Sequence, residues 1–156
     1  MYFGIFCAAA QIYKEGINML KIEHLTKTYG EKKAVDDLSL HIKPGEIYGF
    51  IGHNGAGKTT TIKACCGILK FDSGEIYIDG KSIKTQALEC KREMAYIPDN
   101  PDLYDFLSGI KYLNFIADVY GVSSDARNER IHRYADEFEL TDDLAQPISA
   151  YSHGMK

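Results

Sequence analysis

Cysteine is scarce in this chain. The four among 156 residues, Cys7, Cys65, Cys66 and Cys90, show no C-x-x-C spacing. They read as reduced thiols packed like small apolar side chains, which suits a cytosolic protein. There is no run of roughly 18 apolar residues, so no segment is built to span a membrane as a helix. Positive charge is not in excess, with 18 Lys and Arg against 22 Asp and Glu and a net charge of -4, so general affinity for nucleic acid is not indicated. Internal repeats and low-complexity stretches are also missing. What remains is ordinary for a soluble globular protein: 45% hydrophobic and 26% charged residues, in a chain long enough for one domain with a core.

The first ten residues, Met1-Tyr2-Phe3-Gly4-Ile5-Phe6-Cys7-Ala8-Ala9-Ala10, hint at a signal sequence. They lack the positive n-region, and the apolar run is short for that role. Met19 stands just before the first clear strand pattern. Residues 1–18 are therefore read as an upstream extension outside the fold.

The most informative stretch is Gly52-His53-Asn54-Gly55-Ala56-Gly57-Lys58-Thr59, which reads G-x-x-x-x-G-K-[ST]. A row of backbone N–H groups that holds phosphate oxygens needs a tightly curled chain. Gly52, Gly55 and Gly57 permit the curl, because glycine takes positive φ at little cost. A helix opening after the loop adds unpaired N–H groups and a favourable dipole for an anion. Lys58 is placed to reach the β- and γ-phosphates, and the Thr59 hydroxyl to bind a Mg²⁺ bridging them. The competing explanation is a glycine-rich turn with a solvated lysine, which would need no strand before it and no helix after it. Both are expected here. Residues 46–51 are a short apolar run suited to a buried strand, and Ile62, Cys65, Cys66 and Leu69 fall on one helical face.

Around this loop, residues 20–25 alternate as a half-buried strand, and Val35, Leu38, Leu40 and Ile42 mark a second strand. Residues 75–80 predict a strand entering an Asp79-Gly80 hairpin turn. A short helix is expected over 85–92 and a short strand over 94–97, stopped by Pro98. The stripe Ile110, Leu113, Ile116, Ala117, Tyr120 predicts a helix ended by Gly121. Ser123 or Ser124 caps the next, which carries Ile131, Tyr134, Ala135 and Phe138.

This order of parts resembles the nucleotide-binding domain of ABC transporters, from about Met19 to the last residue. Tyr29 stands where that family has an aromatic that stacks on adenine; taken singly it would be a packing residue. Gly52 to Thr60 matches the family's G-x-N-G-A-G-K-T-T loop, with His53 at the variable position. Tyr96-Ile97-Pro98-Asp99 falls at the family's Q-loop, and Tyr151-Ser152-His153-Gly154-Met155 at its L-S-G-G-Q signature. The resemblance implies an α/β fold of the P-loop NTPase class: a parallel core around the loop, an antiparallel β layer, and a helical subdomain near 101–150. It implies ATP and Mg²⁺ as cofactors. Tyr29, Asn54, Gly55, Ala56, Gly57, Lys58, Thr59 and Thr60 would hold the nucleotide, while Thr59 and Asp99 would hold the metal. Lys58 and Asp99 would serve catalysis. Ser152 and Gly154 would close the site of a second copy in a head-to-tail dimer. The implied partners are that second ATP-binding domain and a membrane-spanning permease, with no nucleic acid. The implied place is cytoplasmic, on the inner face of the membrane.

Several positions depart from the family. Asp99 replaces the usual Gln, with shorter reach. Tyr151, His153 and Met155 replace Leu, Gly and Gln of the signature. The sequence stops at Lys156, before the family's metal-binding Asp, catalytic Glu and later His, which reads as a fragment or a truncated member. The implied function is the ATP-binding, energy-coupling subunit of an ABC transporter, closest to the exporter branch. Hydrolysis belongs to the intact dimer, and the 156 residues by themselves are expected to be inactive. The alternatives are a soluble ABC-type ATPase without a transporter, a P-loop kinase, and a binding-only truncated product.

Overall fold

The computed structural model describes residues 5–6, 19–98 and 102–156. The chain divides into two compact units, Met1–Asp99 and Asn100–Lys156.

The first unit is organised by an antiparallel sheet in the order β3-β2-β5-β6. Its strands are β2 (Leu20–Tyr29), β3 (Lys32–Ile42), β5 (Ser73–Ile78) and β6 (Lys81–Ser82). Strand β2 is central. Its apolar positions Leu20 and Ile22 alternate inward as the sequence pattern demands, and then the register shifts before Leu25. The shift passes through His24 at φ 51, which re-aims Leu25 into the core. The edge of β5 accommodates this kink at Gly74, where an added Cβ would lie 2.4 Å from the His24 carbonyl oxygen. The expected hairpin forms, with Asp79 and Gly80 both at positive φ. Helix α1 (Lys58–Cys65) and helix α2 (Ala87–Arg92) supply Ala64, Cys65 and Cys90 to the same buried cluster as Leu25, Ile76 and Ile83. Burial, followed by the neighbouring Cys66, pushes the Cys65 thiol up to about 12; burial also raises Cys66 and Cys90. These three are packing residues with no reactive thiolate.

Two expectations are corrected here and a third is extended. Of the predicted α1 stripe, Cys65 and Cys66 are buried and Ile62 and Leu69 half-buried, but the helix ends at Cys65, and Thr61 and Ala64 join its buried face. Thr61 tolerates burial because its hydroxyl donates to the Gly57 carbonyl at 3.0 Å. The strand expected over 46–51 shrinks to β4 (Tyr48–Gly49), paired antiparallel with β1 (Ile5–Phe6). Residues 94–98 adopt no regular structure. Both stretches have the composition of inner strands, yet among the described residues all strand pairs are antiparallel and none flanks them with a parallel neighbour. An apolar run without a ladder partner gains nothing from extension.

The second unit is helical. Helix α3 (Gly109–Val119) ends at Tyr120, with Gly121 at φ 64, as the sequence predicts. Helix α4 (Ser124–Glu137) has Ser123 at its N-cap position and buries Ala135. Of the predicted α3 stripe, Ile116 and Ala117 are half-buried and Leu113 and Tyr120 are exposed. Arg127 ties α4 to α3 through Asn114 and Asp118. The 3₁₀ turn Ile148–Ala150 buries Ile148, whose N–H donates to the Leu107 carbonyl at 2.8 Å.

Candidate nucleotide-binding site

The loop of residues 52–57 curls as its glycines allow. Gly55 and Gly57 sit at φ 82 and 86. Gly57 is fixed twice over, since a Cβ there would lie 2.1 Å from the Ala34 carbonyl oxygen of β3. Gly52 is not at positive φ, but an added Cβ would crowd Ala56 at 3.2 Å. The Ala56 N–H donates to the His53 carbonyl at 3.2 Å and closes the curl.

Helix α1 starts at Lys58, and the first N–H to return a bond is that of Thr61, to the Gly57 carbonyl at 2.9 Å. The N–H groups of Lys58, Thr59 and Thr60 thus open the helix without intrahelical partners. No side chain caps this end, and its first turn holds no acidic residue. The positive end of the dipole is left for an external anion.

Lys58 folds back across the loop, its Nζ donating to the carbonyls of Gly52 at 2.6 Å and His53 at 2.9 Å. An ammonium has three donors, so one remains for an incoming oxygen. The His53 ring is turned to its own loop, with Nδ1 2.8 Å from the Asn54 carbonyl oxygen. A triphosphate fits this cradle: bare N–H groups, a cation at the rim and no carboxylate among its residues. For a divalent metal, Thr59 offers an exposed hydroxyl; among the described residues there is no cluster of three or more His, Cys, Asp or Glu.

Tyr29 ends β2 at the hairpin next to this loop and is 51% exposed. Lys27 Nζ stands 5.3 Å from its ring centroid. The hairpin turns at Gly30, φ 58, and brings β3 back along the loop, where Lys32, Ala34 and Val35 lie closest to Gly55 and Gly57. Sequence reasoning missed these three. Lys32 and Ala34 carry no motif, and only the fold shows that the Ala34 carbonyl sets the glycine at position 57.

Asp99 lies outside the described residues. Ser152 and Gly154 belong to the second unit, both exposed. Tyr151 anchors them. Its hydroxyl donates to the Asp143 carbonyl at 2.8 Å and lies where Gly109 leaves room, 2.1 Å from an ideal Cβ at that glycine. Burial, more than the neighbouring Asp143, pushes the pKa of its hydroxyl above the ordinary tyrosine value. After it, the N–H groups of Met155 and Lys156 both point to the Ser152 carbonyl, at 3.1 and 3.3 Å, the opening of a helical turn. His153 is exposed.

The comparisons agree with this arrangement. The family model described as ABC transporter matches residues 35–156. The uncharacterized ABC transporter ATP-binding protein YhcH of Bacillus subtilis is 38% identical over 139 residues, 88% of this chain and 44% of its own length. The bacitracin transport ATP-binding protein BcrA of Bacillus licheniformis is 35% identical over 138 residues, again 88% of this chain and 44% of its own. A solved ATP-binding subunit of an ABC transporter superposes with a TM-score of 0.76 at 31% identity, covering 88% of this chain and 57% of that one. The chain thus spans about half the length of these relatives. No helix among the described residues is long and apolar enough to cross a membrane. With that family model matching residues 35–156, most of its length, the chain belongs to the ABC transporter family.

Proposed function

We propose that this chain is the ATP-binding, energy-coupling part of an ABC transporter of the exporter type. The observation that carries the reading is the loop of residues 52–60: an uncapped helix start, glycines locked by contact, and the Lys58 ammonium held over the rim with a donor to spare. Lys58 would neutralise the β- and γ-phosphates, and the N–H groups of residues 55–60 would hold their oxygens. The Thr59 hydroxyl, and Asp99, would serve as ligands to Mg²⁺. Tyr29, partly exposed on the neighbouring hairpin, would stack on adenine. The name of BcrA, a bacitracin transport protein, supports the exporter assignment.

In this reading residues 19–156 are part of one ATP-binding domain, and 1–18 are an N-terminal extension of which Ile5–Phe6 pairs with Tyr48–Gly49. Ser152 and Gly154, carried on the turn that Tyr151 anchors, close the site of a second copy head to tail. A permease subunit holds the assembly to the inner face of the membrane, and no nucleic acid takes part. Hydrolysis belongs to the assembled dimer of intact domains. Bound Mg-ATP supplies the phosphoryl group that is transferred to water.

The test is calorimetric titration of the chain with Mg-ATP. Lys58→Ala is expected to weaken binding at least about tenfold, and Tyr29→Ala to weaken it less while reducing the preference for adenine over guanine. Equal affinity in the parent and Lys58→Ala would contradict the assignment. Steady-state phosphate release by the 156 residues is expected to be nil; turnover that vanishes in Lys58→Ala would overturn that part.

A further inference from the structure

The phosphate loop has a second cation beside it that its motif does not contain. The Lys32 ammonium lies 4.0 Å from an ideal Cβ on Gly55, which sits at φ 82. Lys32 opens β3 and pairs in register with Tyr29 across the hairpin. Further along β3, Ala34 and Val35 lie closest to Gly57, where an ideal Cβ would fall 2.1 Å from the Ala34 carbonyl oxygen and 3.3 Å from the Val35 side chain, so the hairpin is seated against the loop. Its neighbour Lys33 is engaged elsewhere, with Nζ 2.9 Å from Asp36. Lys27, across the sheet, is bound to Asp72 at 3.0 Å. Among the described residues, no carboxylate lies within ion-pair distance of Lys32.

An ammonium with no carboxylate partner among the described residues, on the hairpin of Tyr29 and beside the loop, has an evident electrostatic use. We propose that Lys32 is a further nucleotide-binding residue, which donates to the phosphate chain of the nucleotide held by residues 52–60 alongside Lys58. The proposal rests on the nucleotide reading of the loop. It makes the β2–β3 hairpin bifunctional: Tyr29 meets the base and Lys32 meets the phosphates, three residues apart on either side of one turn. Because both sit on the same hairpin, the distance between base and phosphate contacts is set by two paired positions of a sheet rather than by a loose loop.

The experiment titrates Mg-ATP and, separately, inorganic tripolyphosphate into the parent chain and four variants, at low and moderate salt, with circular dichroism to confirm that each is folded as the parent. Lys32→Ala and Lys32→Gln are expected to weaken both probes about threefold to tenfold, and the loss is expected to shrink as salt rises. Lys33→Ala is expected to stay within about twofold of the parent, since its charge is held by Asp36. Lys58→Ala reports on the loop itself. Loss in Lys58→Ala with no loss in Lys32→Ala or Lys32→Gln overturns the proposal and leaves the nucleotide site standing. Equal losses in the Lys32 and Lys33 variants overturn it too, because the effect is then general charge. A loss for ATP but not for tripolyphosphate overturns the phosphate contact. No loss in Lys58→Ala removes the nucleotide site and this proposal with it.

Discussion

Three apolar stretches of the first unit have similar composition and different fates. Residues 20–25 and 73–78 become β2 and β5, with Leu25 and Ile76 both 0% exposed. Residues 46–51 keep only the two-residue β4, with Ile47 81% and Ile51 76% exposed. The difference is the neighbours. Strands β2 and β5 pair with each other, with β3 and with β6, and are covered by α1 and α2. Strand β4 has only β1 as a ladder partner among the described residues. A strand is thus made by its ladder partners and covering layer, and apolar sequence is a necessary but insufficient condition.

The largest expected effect tests this difference directly. Leu25→Ala or Ile76→Ala opens a cavity in the packed layer and is expected to cost about 2–5 kcal/mol in urea unfolding. Ile47→Ala and Ile51→Ala, although chemically alike, are expected to change stability by less than about 0.5 kcal/mol. Comparable losses at both places would erase the distinction.

A second pair separates backbone strain from contact. Gly74 and Gly45 have similar positive φ values of 94 and 80, but a Cβ at Gly74 would strike the His24 and Glu23 carbonyls while one at Gly45 meets nothing within 4 Å. Gly45→Ala is expected to cost about 1–2 kcal/mol, from conformation only. Gly74→Ala is expected to cost clearly more, by urea titration, because β5 must withdraw from β2.

The smallest effect lies at the end of the same sheet. Asp72 accepts from Lys27 Nζ at 3.0 Å and from the Thr28 N–H at 2.6 Å. The Lys27 bond first, and then the Thr28 N–H, hold its carboxyl below the ordinary range. The sign follows: the contribution is present above the ordinary aspartate range and is lost as pH falls through the lowered value. The Thr28 amide resonance is expected to report a midpoint below that of a free aspartate, and Asp72→Asn is expected to remove the acid-side slope. A midpoint in the ordinary range would count against the clamp.

Much of the site was legible because its chemistry demands residue types at fixed spacing. The glycines at 55 and 57, Lys58 and Thr59 follow from the anion they are shaped to hold, and the hairpin at Asp79-Gly80 follows from turn sterics. The antiparallel layer was legible from alternation in β2. What was not legible depends on through-space partners. Lys32 beside Gly55, the Ala34 carbonyl against Gly57, and Tyr151 seated on Gly109 leave no local signature. At α1, burial of Thr61 was not legible because it looks polar in sequence and is satisfied only in the folded turn. The strands at 46–51 and 94–97 were over-predicted for the reason the comparison gives.

The central claim is that the loop between β4 and α1 holds a triphosphate through Lys58. Ligand linkage tests it without any need for turnover. Thermal unfolding of the chain is recorded with and without Mg-ATP at about a hundred times its dissociation constant, where binding to the native state adds about 2.7 kcal/mol. The account predicts a rise in the melting temperature of the parent chain and a clearly smaller one in Lys58→Ala at the same ATP concentration. An equal rise in both, or none in the parent at saturating ATP, would contradict it.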